Sequence, residues 1–218
     1  MKQFLTYTLL LCMFLLEACK DDDYVYPSVV TEFIDAKTDD TGTLSHLISD
    51  KGITYRINPR EGIDGLTPDS LYRTVSIFQP LEDDSAGEPI VQLYKGQLIL
   101  APIPVAPEDF KDGVKTDPVG IQSIWKSGNY INLILEVMVK EKTHTFYFID
   151  DGMTKEDGKD IINIRLYHNS DDDYEAYTRR AYLSLPLQTY LQKLEAGAAL
   201  RLTINTYKEG NIYREFTY

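Results

Sequence analysis

The 218 residues carry 34 acidic against 22 basic side chains, a formal net charge of −12. With no basic cluster, this balance argues against nucleic-acid binding, which needs a Lys/Arg footprint, and against adhesion to anionic lipid by charge. The length suits one large domain or two small ones, and 16 tyrosines and 8 phenylalanines beside many Val, Ile and Thr favour strands.

Met1 and Lys2 give a short positive start, and Phe4 to Leu16 is an almost unbroken apolar run. At about 13 residues it is shorter than the roughly 20 that a bilayer span takes. It fits a secretory signal peptide, residues 1–18, removed in the mature protein. The run ends Leu16-Glu17-Ala18-Cys19, which resembles a bacterial lipobox, with Glu17 departing from the small or aliphatic residue preferred there. The resemblance implies cleavage before Cys19 and acylation of its thiol and new amino group. The alternative is an ordinary secreted leader that leaves a free cysteine; the other cysteine, Cys12, lies inside the leader, so no disulfide partner would remain. Several acyl chains on one residue give stable anchoring in outer-membrane lipid. Lys20, Asp21, Asp22 and Asp23 resemble the export signal of surface lipoproteins in Gram-negative gut and oral anaerobes. This implies an outer-membrane, surface-exposed address, the alternative being a plain acidic tether over residues 19–28.

From Val29 onward, short apolar or alternating segments recur between turn residues: Val29 to Asp35, Leu44 to Ser49, Ile53 to Ile57, Leu71 to Gln79, Ile90 to Tyr94 and Gln97 to Val105. That spacing predicts an all-β unit over residues 29–106. Pro107 to Pro118 is charged, aperiodic and bears Gly and Pro, and reads as a linker, residues 107–116. The second unit, residues 117–218, contains Val119 to Trp125, Tyr130 to Val139, His144 to Ile149, Ile161 to Asn169, Arg180 to Leu187, Leu200 to Tyr207 and Ile212 to Thr217. In Tyr130 to Val139 one face is wholly apolar and the other mixed, the pattern of a strand packing one face on a core. Seven such strands in about 100 residues predict a two-sheet antiparallel sandwich. Leu187 to Ala196, closed by Gly197, is the one good helix candidate.

Asp117-Pro118, Ile124-Trp125, Gly128 to Asn132, Leu166 to Asn169 with its acidic run, and Arg180 to Ser184 together resemble the C-terminal domain of the NigD-like lipoprotein family. The resemblance implies an all-β fold, an N-terminal OB-like barrel followed by a C-terminal β-sandwich. In the first half it rests chiefly on Tyr72-Arg73-Thr74-Val75. It implies no activity: the family name comes from a neighbourhood with bacteriocin genes, which is association and not mechanism.

No catalytic constellation emerges. His46, His144 and His168 show no metal-helix or short zinc-motif spacing. Asn169, Asp171 and Asp173 alternate as the first ligands of a calcium loop do, but Tyr174 replaces the required Gly and Arg180 the bidentate Glu. Asp150-Asp151-Gly152 reads as turn chemistry. No Gly-x-Ser-x-Gly elbow, phosphate-cradling Gly loop or mature catalytic cysteine is present, so no cofactor, metal or catalytic residue is assigned. Trp125, Tyr130, Tyr167, Tyr174, Tyr177 and Tyr182 read either as a stacking platform for sugar or peptide or as sheet packing. His168 beside Asn169 and Asp171 to Asp173 reads either as a cation or polar-ligand loop or as a strand end running into a solvated turn, so the candidate ligand patch is Trp125, Tyr130, His168, Asp171 and Asp173.

These observations favour a non-catalytic, lipid-anchored envelope module with a protein or glycan partner. The alternatives are an envelope hydrolase built on a carboxylate pair and an accessory or immunity-type protein of a bacteriocin system. The anchor is testable: Cys19→Ser should release the protein from membranes, and membrane-bound, acyl-labelled mutant protein would refute the assignment.

Overall fold

In the computed structural model, which describes residues 28–83, 87–173, 175–191 and 197–217, the first five strands close on themselves. These are β1 (Val30–Thr38), β2 (Leu44–Ile48), β3 (Thr54–Ile57), β4 (Leu71–Pro80) and β5 (Ile90–Leu98). Their order β1-β2-β3-β5-β4, with β4 returning to β1 and β3 pairing with β5 in parallel, is the OB-like barrel. Ile34, Ala36, Leu47, Phe78, Val91 and Leu93 alternate inward to form its core, and Ile63 from the β3–β4 loop packs with them. The Ile90–Tyr94 segment and the start of the Gln97–Val105 segment, expected as two strands, are one: a bulge at Tyr94, opposite Ile77 and Phe78, lets β5 run through Lys95-Gly96 to Leu98, and residues 100–105 leave the barrel.

Seven strands form the second unit: β6 (Gly120–Ser127), β7 (Tyr130–Val139), β8 (Thr145–Glu156), β9 (Lys159–Asn169), β10 (Tyr177–Pro186), β11 (Ala199–Thr206) and β12 (Gly210–Thr217). They make two sheets, β10-β7-β6 and β12-β11-β9-β8. Ile131, Leu133, Leu135, Val137 and Val139 meet Phe146, Phe148, Ile162, Ile164 and Leu166 in the core between them. Each fully buried aliphatic side chain contributes roughly 1.5–3 kcal/mol, so this layer carries most of the drive to fold. A short helix, α1 (Gln188–Leu191), begins the passage from β10 to β11, which lies parallel to β9; the rest of the expected helix lies outside the described residues. Asp150-Asp151-Gly152 does not end its strand. Gly152 adopts φ 84° and donates to Asp150 Oδ1 at 2.9 Å, making a bulge through which β8 continues to Glu156.

The stretch 99–119 is fastened to the sandwich. Leu100 bridges to Leu183, Val105 to Ile149 and Thr116 to His168, while the Phe110 ring stacks on Tyr167 at 4.4 Å. Its proline and charge content read as a connector because such irregular contacts leave no periodic signature.

Barrel and sandwich meet through the mixed face of β7. Arg73 of β4, its side chain 2% exposed, donates to both carboxylate oxygens of Asp50 at 2.7 and 2.9 Å and to Asp35 at 3.1 Å. Across the seam it donates to Asn132 Oδ1 at 3.1 Å and Ser184 Oγ at 3.3 Å, and its guanidinium lies 3.8 Å over the Tyr130 ring. Burial alone would lower the Arg73 pKa, but hydrogen bonds and charge from Asp50 and Asp35 outweigh it and raise it above the ordinary value. Burial pushes Asp35 up despite its pairing with Arg73, and pushes Tyr130 up to about 12 with help from the Asp35 charge. Gly128, at φ 51°, sits where a Cβ would lie 2.6 Å from the Asp50 carbonyl oxygen, so the β6–β7 turn abuts the loop that presents Asp50.

Removing one partner of a buried pair costs about 3–5 kcal/mol, because the remaining charges are left uncompensated. Arg73→Ala should therefore lower the melting temperature by on the order of ten degrees. Arg201→Ala, which breaks an exposed network with Glu156 and Glu215, should change it little. Equal shifts in thermal melts of the two variants would show that the seam is not the stronger constraint.

Candidate functional site

Where the polar seam ends, an aromatic cleft opens between the two units. Thr31, Glu32 and Phe33 enter it from β1, Ser49 to Lys51 from the β2–β3 turn, and Tyr55 from β3; Trp125, Ile134 and Tyr182 face them from β6, β7 and β10. The cleft encloses about 500 Å³, within the usual size range of ligand clefts. Phe33 anchors its wall: the Trp125 ring meets it edge-on at 5.0 Å and 84°, and Tyr182 at 6.0 Å and 61°. Such edge-to-face contacts order the rings while leaving faces for stacking. Phe33 is buried, whereas Trp125, Tyr55 and Tyr182 are half-exposed. Glu32 and Lys51 supply opposite charges at the rim.

The candidate patch read from the sequence divides between two places. Trp125 lines the cleft. Tyr130 is committed to the seam through its ring over Arg73 and its hydroxyl, which donates to Asp35 at 3.3 Å. His168, Asp171 and Asp173 gather beyond the far end of β7, where Lys140 and Glu141 donate their backbone N–H groups to Asp173 at 2.6 and 3.2 Å. Ten residues of strand separate the two ends, about 30 Å at 3.3 Å per residue. Cys19, Lys20, Asp21, Asp22 and Asp23 lie outside the described residues.

At that far end stands a pair missed by the search for ligand spacings. His168 is 1% exposed, stacks on Phe146 at 4.6 Å, and donates from Nδ1 to the Asp117 carbonyl at 3.0 Å. Its Nε2 then accepts from His144 Nδ1 at 2.9 Å. His144 Nε2 in turn faces Asp173 Oδ2 at 3.5 Å, with both side chains under 5% exposed. The His144–His168 bond ties the β7–β8 loop to the end of β9, and the Lys140 and Glu141 N–H groups latch the β9–β10 loop to it through Asp173. Asp173 is spoken for by backbone N–H groups, and Asp171 pairs instead with Lys142 at 3.5 Å while its own N–H is held by Asn169 Oδ1 at 3.0 Å. Among the described residues no group of three or more ligating side chains is arranged to hold a metal ion. Antiparallel pairing of β8 with β9 could have hinted at this latch, since His168 falls opposite Phe146, two residues from His144.

Burial lowers the His168 pKa below its ordinary 6.5, more strongly than the bond to the Asp117 carbonyl raises it. A histidine held neutral in the fold supports stability above its unfolded pKa and loses that support as pH falls below about 6.5. Melting temperature should therefore drop between pH 7.5 and 5.5, and His168→Gln should flatten the slope. A slope unchanged in that variant would assign the acid sensitivity to other groups.

Comparison with known proteins bears on both units. The family model for the NigD-like C-terminal beta sandwich domain matches residues 101–218. Across nearly the whole described chain, the crystal structure of a NigD-like immunity protein from Bacteroides caccae aligns with TM-score 0.73 at 30% identity, covering 89% of this chain and 99% of that one. A protein described as toxin-related from Parabacteroides distasonis aligns with TM-score 0.67 at 18% identity, covering 88% and 93%. A protein described as a lipoprotein, from Bacteroides fragilis, aligns with TM-score 0.59 at 15% identity, covering 87% and 97%. At those identities the last two show the shared fold alone. A search of curated proteins finds no match. The matched sandwich, the barrel joined to it and the 30% identity across both show that this chain belongs to the NigD-like family.

Proposed function

We propose that the protein is a non-catalytic, lipid-anchored envelope protein of immunity type that captures a protein or peptide partner in the aromatic cleft. The observation that carries this reading is the cleft itself: three half-exposed aromatic rings, Trp125, Tyr182 and Tyr55, the first two ordered edge to face on the buried Phe33. Interfaces draw most of their energy from such ring-lined, preformed pockets. The related immunity protein from Bacteroides caccae supports the assignment of type. The carboxyl groups support the non-catalytic part. Asp35, the carboxyl that burial pushes up, is occupied by Arg73 and Tyr130 and does not line the cleft. Glu156 is held down by Arg201, and Asp117 by the Ser170 hydroxyl and N–H, which outweigh its burial. A carboxylate pair working as acid and base would instead need one raised and one free group facing a pocket.

The lipobox at Leu16 to Cys19 supports the anchor and the acidic run after it the surface address. No helix among the described residues is long and apolar enough to cross a membrane. The tether joins the fold at β1, whose Thr31, Glu32 and Phe33 line the cleft.

Trp125 is the sole tryptophan, so intrinsic fluorescence reports on the cleft directly. Affinity capture from culture supernatant with the soluble Cys19→Ser chain should retain a partner whose addition shifts Trp125 emission. Trp125→Ala should weaken that capture by about 30-fold, the effect of losing about 2 kcal/mol at an interface anchor. Undiminished capture by a Trp125→Ala chain of unchanged melting temperature would move the binding face elsewhere.

A further inference from the structure

The segment 99–105 straps the open side of the sandwich and pins one edge of each sheet. Leu100 pairs in parallel with Leu183 of β10, and Ser184 donates its N–H to the Leu100 carbonyl at 2.9 Å. Val105 does the same on β8, donating to Phe148 O at 3.0 Å and accepting from Asp150 N at 2.8 Å. The strap stops there. β10 runs on as Tyr177 to Tyr182, with β7 on one side and, among the described residues, no strand on the other. Main-chain groups alternate sides along a strand, so the N–H and C=O of Arg180 and Thr178 point the same way as the Ser184 N–H. Six residues of edge, about 20 Å, are thus open to pairing.

Beside this edge lies a groove of about 220 Å³. Its floor is Val137, Val139, Phe146 and Ala181, and its far bank is Leu98 and Leu100, which are 53% and 49% exposed. Arg179 and Arg180 stand at its mouth, both exposed and, as neighbours on a strand, on opposite faces of the sheet. Neither has an ion-pair or side-chain hydrogen-bond partner among the described residues, although the chain carries 34 carboxylates against 22 basic groups. Two unanswered guanidiniums on an acidic chain, beside an unpaired edge and an apolar groove, define what would fit.

We propose that the Tyr177 to Tyr182 edge accepts an extended acidic segment of a partner protein, added to β10 as a further strand. The main chain of that segment pairs with Thr178 and Arg180, its apolar side chains enter the groove on the face that Arg179 shares with Ala181, and its carboxylates, which alternation places on the other face, meet Arg180. The observations are separate from those behind the aromatic cleft; Tyr182 alone lines both hollows.

The test uses the full soluble Cys19→Ser chain and two labelled seven-residue peptides, one alternating valine with glutamate and one alternating valine with lysine. Fluorescence anisotropy at low salt should show the glutamate peptide binding at least about tenfold more tightly, with affinity falling as salt is added. Hydrogen exchange should slow at the amides of Thr178 and Arg180 when that peptide is bound. The exposed double variant Arg179→Glu/Arg180→Glu, checked for an unchanged melting temperature, should reverse the preference. Equal binding of both peptides, no binding, or binding without protection of those two amides would overturn the proposal. So would self-association of an Arg179→Ala/Arg180→Ala chain when the unaltered chain ignores both peptides, since the arginines would then serve only to keep the edge from pairing with itself.

Discussion

The Arg73 guanidinium is the group on which the arrangement of the two units depends. It leaves the barrel with two carboxylates beside it, Asp35 and Asp50, but those use only part of its donor fork. A buried guanidinium with unmet donors costs several kcal/mol, and the sandwich meets them with Asn132, Ser184 and the face of Tyr130. Asn132 and Ser184 are themselves joined at 2.6 Å and fully buried, so sliding one unit over the other would break several bonds at once. A hydrophobic contact tolerates small displacements; a fork of directed hydrogen bonds does not.

That rigidity gives the aromatic cleft its shape. Phe33 lies on β1 two residues before Asp35, and Tyr182 on β10 two residues before Ser184, so each ring shares a strand face with a member of the seam. Strand alternation carries the register of the polar contacts straight into the spacing of the rings. The β6–β7 turn acts from the other side, since Gly128 is the residue that lets the chain approach the Asp50 carbonyl and hold Trp125 near Phe33. A cleft built this way is preformed, which spares a partner the ordering cost of assembling it.

The two unequal faces of β7 explain much of the architecture. Its apolar face belongs to the sandwich core, and its mixed face is divided along its length: Tyr130, Asn132 and Ile134 face the barrel, and Glu136 lies exposed beyond it. β10 repeats the division, with Leu183 and Leu185 inward, Tyr182 and Ser184 toward the barrel, and Tyr177 to Arg180 exposed. The interface between the units thus occupies half the length of two paired strands. The other half of β10 is left as an open edge beside the strap, while β7 lies between β10 and β6.

Alternation and turn chemistry made most strands legible before any coordinates, because a period of two over five or more residues has few other meanings. Bulges defeated that reading at Tyr94, just before Lys95-Gly96, and at Asp150 to Gly152, where a glycine with polar neighbours marks a kink within a strand as readily as a turn between strands. The His144–His168 pair was illegible for a different reason: its members are 24 residues apart, and only the β8–β9 register brings His144 Nδ1 to 2.9 Å from His168 Nε2. Arg73 was noticed only as one letter of a four-residue resemblance, since a charged residue on a strand gives no sign of whether it will meet solvent or another domain. By itself, then, the sequence determined the all-β class, most of the strands and the apolar face of β7, because these follow from local stereochemistry and periodicity. Only the tertiary structure decided which polar face became an interface, which aromatic rings stayed open and which histidines met, because burial of a polar group depends on partners that lie far away along the chain.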